Sequence, residues 1–425
     1  MRDPDALAYL RLVALGAVIG IPAALLAAVF LALVHDPEHW LWTDLPSGLG
    51  HSSPPWYLVI GLPAVGACVV VVARRFLPGD GGHSPIQGIG GGAVPVLNGP
   101  GIALAAIGTL SFGAVLGPEA PLIALGAVVG GVVTLFARVD EKGQAVLATA
   151  GSFSAISALF GGPIVGGMML TESGLAMGTQ LMVVLLPGFV AAAIGYVLFT
   201  GLGDWGGLSS QSLAVPDLPA YTGTHVYDLV VGVVVGVVAA VIVAGVRRSA
   251  ERLFDEGPAR FGMPLLLVGG GLAVGLVAQT ADWLGADSQD VLFSGQSGVP
   301  AIAATESTKI LLILLVAKAI GYAISLGCGF RGGPVFPAIF LGIAVAEFAH
   351  TWFDVSPTLG VAVGAAAGMA AGTRLLITST LFAGLLVGSA GFDAIPAAVL
   401  AASAAWLTMQ ALDRRSTAEV APAVS

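Results

Sequence analysis

The stretch Leu110–Gly126, LSFGAVLGPEAPLIALG, carries one charge, Glu119, the only Asp, Glu, Lys or Arg between Gly81 and Phe136. A carboxylate isolated in so much apolar sequence is costly and needs a reason. Gly113, Gly117, Pro118 and Pro121 crowd around it, which predicts a break in the chain and a new helix beginning near Pro121. The acid then sits beside the positive end of a helix dipole.

The rest of the chain tells what kind of solvent that helix meets. Of 425 residues, 56% are hydrophobic and 10% charged, with mean hydropathy +0.95, against about 25% charged in soluble chains. An integral membrane protein follows. Sixty-one glycines let helices approach closely or break within lipid. Leu12–Val34 supplies 23 uncharged residues, enough for a first span rather than a cleaved leader.

Charge-poor segments recur from residue 12 to residue 411, several shorter than the roughly 20 residues a full span needs. Short segments interrupted by Gly and Pro point to discontinuous helices around a solute site. Arg2, Arg11, Arg74, Arg75, Arg247, Arg248, Arg252, Arg260, Arg414 and Arg415 flank spans on what should be the cytoplasmic side, with both termini there. The loops at 35–55 and 281–307 hold Asp36, Glu38, Asp44, Asp282, Asp287, Asp290 and Glu306 without Lys or Arg, and are expected outside.

The chain also matches itself. Pro121-LIAL-Gly126 is echoed by Pro337-AIFL-Gly342 at an offset of 216, Ala150-Gly151 by Ala367-Gly368 at 217, and Gly167-MML by Gly384-LLV at 217. Two inverted-topology halves are expected, 1–205 and 225–412, joined by a polar linker at 206–224 containing Ser209, Ser210, Pro216 and Pro219, with a short cytoplasmic tail at 413–425.

Three glycine- and proline-rich breaks precede apolar helices: Gly88-IGGGAVP ending at Pro95, Gly117-PEA-Pro121, and Gly327-CGFRGGPVF-Pro337. Each offers unpaired N–H groups and a helix N-terminus. A bare ion in low dielectric costs tens of kcal/mol and one terminus returns at most about 2. Several converging termini are therefore needed to hold an anion.

In that order and spacing the three breaks resemble the anion-lining loops of the CLC family of chloride channels and chloride/proton exchangers. The resemblance implies an all-α membrane fold of two inverted repeats with broken helices, assembled as a homodimer in the cell membrane, with chloride or another small anion and protons as its partners. It implies anion contacts at Gly91, Gly92, Ala93 and Val94, at Gly117 and Ala120, and at Gly333, Pro334, Val335 and Phe336. It makes Glu119 the gate, whose ionised side chain blocks the path and whose protonation frees it.

This chain departs from the family pattern at several positions. Pro118 and Ala120 replace an arginine and a glycine, Gly92 replaces the serine that would coordinate the central anion, and Val335 replaces an aromatic with Phe336 beside it. Ser173 stands at the inner proton-transfer position next to Glu172, for which the readings are a structural acid near the inner mouth or a proton relay. Phe392 is the candidate inner-gate aromatic where the pore tyrosine is missing, with plain packing as its alternative. For Lys318 the alternatives are attracting anions into the inner vestibule or snorkelling to the interface, and Arg331 is an electrostatic candidate.

Several classes fall away. A net charge of −9 and no basic run speak against nucleic acid. Cys68 and Cys328, both expected in the core, have no CxxC spacing. HExxH, GxxxxGK[ST] and GxSxG are absent, so no metal, cofactor or enzymatic activity is expected. The expectation is transport of a small inorganic anion, with chloride as default and nitrate, bromide and fluoride open. Glu119 favours proton-coupled exchange. The alternatives are a passive channel or, from another class, a cation-coupled carrier of an organic solute.

Overall fold

A computed structural model describes residues 3–137, 139–174, 179–208, 213–353 and 355–420. Arg2, Ser209 and Ser210, invoked above, lie outside the described residues, as does the tail beyond 420. Fourteen main helices order the chain: α1 (Asp3–His39), α2 (Trp56–Phe76), α3 (Gly99–Leu110), α4 (Glu119–Ala137), α5 (Glu141–Leu159), α6 (Pro163–Ser173), α7 (Thr179–Thr200), α8 (Val226–Phe261), α9 (Met263–Trp283), α10 (Thr308–Gly327), α11 (Val335–Phe353), α12 (Pro357–Thr373), α13 (Ile377–Val387) and α14 (Ile395–Val420). Among the described residues, nine spans are long and apolar enough to cross a membrane. Helices α3, α6 and α13, at 11 or 12 residues, are too short.

The two halves repeat with inverted topology. Helices α4 and α5 begin at Glu119 and Glu141; α11 and α12 begin 216 residues later, at Val335 and Pro357. Within the first half α4 packs on α5, and α1 on α5 and α7; in the second α11 packs on α12, and α8 on α12 and α14. The repeated glycines explain the sequence echo. A Cβ at Gly126 would stand 2.5 Å from the carbonyl oxygen of Gly151, and one at Gly342 would stand 2.1 Å from that of Gly364 and 2.7 Å from the nitrogen of Gly368. In each half two helix backbones touch where only glycine fits.

Three expectations change. The first helix does not end near Val34: it continues through a wider turn at Trp40–Asp44 and a last turn at Leu45–Gly48. Asp36, Glu38 and Asp44 are therefore on helical backbone rather than in a loop. Trp42 rewards the extension, because its ring is buried and its Nε1 donates to the Ser111 carbonyl at 3.0 Å. Helix α4 starts at Glu119, not Pro121; proline is tolerated in a first turn, where the N–H would be unpaired anyway. Cys68 is exposed, whereas Cys328 is buried.

Charge separates the two ends of the bundle. At one end, the basic face, Arg11 Nη2 donates to the Ala137 carbonyl closing α4, Arg248 to the Leu412 carbonyl, and Arg374 to the Asp413 carboxylate. At the other, the acidic face, lie the end of α1 and the segment 284–307.

Candidate functional site: a buried carboxylate between two vestibules

The breaks before α4 and α11 meet at the centre of the bundle. Gly117 and Gly333, 216 residues apart, exchange two backbone hydrogen bonds, at 2.8 and 2.6 Å, forming an isolated antiparallel bridge. Glu119 and Val335 start the two helices on either side. The Val335 N–H donates to Glu119 Oε1 at 2.5 Å. The Glu119 side chain is wholly buried, and its Oε2 has no hydrogen-bond partner among the described residues. A Cβ on Gly117 would come within 2.0 Å of Oε2, and one on Gly333 within 2.2 Å of Cδ. Both glycines are required for the carboxylate to rest where it does.

Two cavities approach this point from opposite ends. The acidic-face cavity, about 740 Å³, runs from His35, Asp36 and Glu38 down to Pro118 and Phe336. The basic-face cavity, about 550 Å³, runs from Arg247 and Arg374 to Tyr322 and Pro334. Glu119 thus lies between the floors of the two vestibules, behind residues 118 and 334. Phe160, Phe336 and Phe382 close the acidic-face side, with ring centroids 5.3 to 6.0 Å apart.

The first glycine break takes a different register from the one expected. Gly91, Gly92 and Ala93 are exposed and Val94 is half-buried, and none of them lines either cavity. The chain instead turns at Pro85–Gln87, and Pro85, Ile86, Gln87, Gly88, Ile89 and Gly90 form the cavity wall. Ser84, just before that turn, has a buried hydroxyl with no partner among the described residues. The missed signal was a hydroxyl residue directly before a proline in a Gly82-His-Ser-Pro85 break.

Phe392 is corrected outright as an inner-gate residue. It is 76% exposed and sits on the acidic face, where Asp393 accepts from the Gly223 N–H and Ala390 from the Tyr221 N–H. The aromatic in the basic-face cavity is Tyr322 of α10, 2% exposed, whose hydroxyl donates to the Pro334 carbonyl at 2.8 Å. A buried tyrosine hydroxyl needs such a partner, and this one steadies the loop that presents the Val335 N–H. Of the third break, Val335 and Phe336 are buried and Pro334 lines the cavity, while Ala120 is buried in the first turn of α4.

Glu172 and Ser173 both line the basic-face cavity. The Glu172 carboxylate accepts from the N–H groups of Leu376, Ile377 and Thr378, at 2.5, 3.0 and 2.9 Å, and from the Thr378 hydroxyl at 2.7 Å. It therefore caps α13, tying the two halves together through four donors. The Ser173 hydroxyl donates back to the Leu170 carbonyl at 3.1 Å.

Neither vestibule contains Lys318. Its fully buried ammonium donates to the carbonyls of Asp290, Leu292 and Phe293 and lies 4.7 Å from the Phe340 ring centroid. It neither snorkels nor faces the inner vestibule; it pins the 290–293 turn. Arg331 is buried in a clasp, bonded to the Asp80 carboxylate and carbonyl, while Arg74 donates to the same carboxylate and to the Gly329 carbonyl. That clasp fixes the first and third breaks against each other. Glu347 of α11 escaped the sequence reading: it is wholly buried, and neither carboxylate oxygen has a partner among the described residues.

The model of the family described as voltage gated chloride channel matches residues 65–410, spanning all three breaks. The chain belongs to this family. It is 28% identical over 368 residues to the "Putative ion-transport protein YfeO" of Escherichia coli (strain 55989 / EAEC), covering 84% of this chain and 83% of that one. Among solved structures its fold is similar to a slow cyanobacterial Cl−/H+ antiporter (TM-score 0.76, 18% identity, 96% and 99% of the two chains). It is also similar to a CLC-type fluoride/proton antiporter (TM-score 0.70, 20% identity, 94% and 95%). As a voltage-gated chloride channel family member it is a multi-pass membrane protein of the anion-transport class.

Proposed function

We propose that the chain exchanges a small inorganic anion, chloride by default, for protons across the cell membrane, with Glu119 as the gate. The observation that carries this reading is the wholly buried Glu119 carboxylate, bonded to the Val335 N–H at the meeting of two opposed vestibules. That N–H opens α11 and is the donor an anion would use. Carboxylate and anion therefore compete for one place. Protonating Glu119 removes the charge that holds it there and frees the site. Gly117 and Gly333 leave the room for either occupant.

Around this place the donors are the N–H groups that open α4 and α11, with the Gly88–Gly90 backbone in the wall of the basic-face cavity. Tyr322, not Phe392, is the aromatic on that side. The positive-inside rule makes the basic face cytoplasmic, with both termini there. The family resemblance supports a homodimer with one path in each protomer.

The test is reconstitution into liposomes. A chloride gradient should drive uphill proton movement, and Glu119→Gln should abolish it. Chloride flux without any proton movement would instead identify a passive channel, a reading favoured by the capped Glu172 and by Ser173, which leave the basic side without an evident proton relay.

A further inference from the structure

The mouth of the acidic-face cavity holds charges of the wrong sign for an anion path. Its ionisable wall residues are His35, Asp36 and Glu38, all from one turn of α1, and among the described residues no Lys or Arg lines it. The segments facing that turn, 110–118, 213–216 and 293–300, bring no ionisable side chain, and the next one inward is Glu119. His39 and Asp44, farther along the helix end, pair with each other at 3.4 Å outside the cavity wall. A carboxylate at about 10 Å in screened solvent lowers the local anion population roughly twofold to threefold. These acids hinder anion entry and call for another use.

Glu38 has the placement for one. It lies one turn after Val34 and one turn before Trp42, on a shared helix face. That face is tied to the break leading to Glu119: the Ser111 hydroxyl donates to the Val34 carbonyl at 2.8 Å, and Trp42 Nε1 donates to the Ser111 carbonyl at 3.0 Å. The Glu38 side chain is 23% exposed against 56% for His35, whose Nδ1 is 3.8 Å from Glu38 Oε2. A half-buried acid thus stands between an exposed imidazole and the vestibule. At the far end, Glu119 Oε2 is an acceptor with no partner among the described residues. A cavity of about 740 Å³, at about 30 Å³ for each water, has room for a chain of them.

We infer that Glu38 is the proton-transfer group of the acidic face, passing protons between the cavity mouth and Glu119. This rests on the reading of Glu119 as a gate that protonation opens, and adds the residue that supplies the proton. The Glu38 carboxyl releases its proton to a vestibule water, each water in turn passes one on, and the last protonates Glu119 Oε2. The Glu38 carboxylate then takes a proton from the His35 imidazolium, which takes its own from bulk solvent; imidazole is the usual collector near neutral pH. One proton moves inward, and only O–H and N–H bonds break and form.

The experiment follows the onset of chloride efflux from oriented proteoliposomes after a rapid pH drop on the acidic face. Glu38→Gln should slow the onset at pH 7 about tenfold, less than the hundredfold or more of a general acid in contact with its substrate, because bulk water remains an alternative donor. The loss should shrink at pH 5, where that donor is more abundant, and imidazole buffer added on the acidic face should restore the rate. A merely structural role would respond to neither. Asp44→Asn removes an equal charge from the same helix end outside the cavity and should leave the onset unchanged. A wild-type onset in Glu38→Gln, a loss that neither acid nor imidazole repairs, or an equal loss in Asp44→Asn would overturn the inference. Infrared difference spectra of the purified full chain in nanodiscs read the same transfer without transport. The carboxyl C=O band that Glu119→Gln removes should appear about tenfold more slowly after the pH drop in Glu38→Gln, and an unaltered rate would refute the relay even if no flux were found. Absence of chloride-driven proton movement in the wild type would count against the exchange reading alone.

Discussion

Replacing Glu119 with glutamine is the most informative single perturbation, because it changes charge while nearly conserving shape. The carboxylate is held by one charged hydrogen bond, from the Val335 N–H at 2.5 Å, and by the absence of side chains at Gly117 and Gly333. A hydrogen bond to an ionised group contributes about 1.5–3 kcal/mol, a neutral one about 0.5–1.5. The glutamine should therefore hold its place less tightly by about 1 kcal/mol. Where side chain and anion compete for the same N–H, that difference appears as about fivefold tighter apparent chloride binding. Calorimetric titration gives the affinity, and chloride efflux from proteoliposomes at acid and neutral pH gives the gating. The variant should bind chloride more tightly, lose the pH dependence of efflux, and move no protons. Unchanged affinity together with efflux that still depends on pH would refute the competition and put the gate elsewhere.

Other outcomes follow from neighbouring contacts. Gly333→Ala should expel the Glu119 side chain, since the new Cβ would fall 2.2 Å from its Cδ, giving chloride efflux that no longer responds to pH. Glu172→Ala should leave α13 uncapped and lower stability by about 2–4 kcal/mol, seen as a lower melting midpoint in detergent. A pH effect on stability should come from Asp290, which burial first and Asp287 second push up to about 6 from its ordinary 3.8, against an opposing pull from Lys318. Because the folded-state value is raised, that contribution is full below about pH 4 and lost as pH climbs through about 6. Asp290→Asn should flatten the melting midpoint across that window, and an unaltered slope would count against it. Glu347→Gln should raise the melting midpoint, since a buried acid with no partner is a cost rather than a support.

Much of the architecture was legible in the residues. Glu119 stood out because nothing charged lies near it in sequence, and the glycines at 126, 151, 342 and 368 marked the repeat because two backbones touch at each pair. What was not legible is where a flexible glycine run turns. Between Phe76 and Gly99 several registers look alike, and it is the turn at Pro85–Gln87 that turns residues 85–90, rather than Gly91–Val94, toward the cavity. The aromatic was misassigned for a different reason. Matching prolines ranked Phe392 by sequence position, whereas the cavity is filled from another helix, by Tyr322, whose only local cue is a hydroxyl in an apolar span. Lys318 could not be read at all without the 290–293 turn it binds, which lies about 25 residues earlier. Local chemistry was visible in the sequence; which residues of a break faced the cavity was not.

The bridge between Gly117 and Gly333 has a kinetic consequence. Two peptide groups, one from each half, are clasped at the centre of the bundle, so the halves cannot part there without breaking both bonds where apolar side chains leave few replacements. Rocking one half against the other, the usual means of alternating access, would have to break both of these bonds. Rotation of a few side chains about fixed backbone, the movement the proposed gate needs, would leave both intact. Turnover should then be nearly indifferent to bilayer thickness and lateral tension, and its pace should be set by side-chain rotation and solvation of the gate.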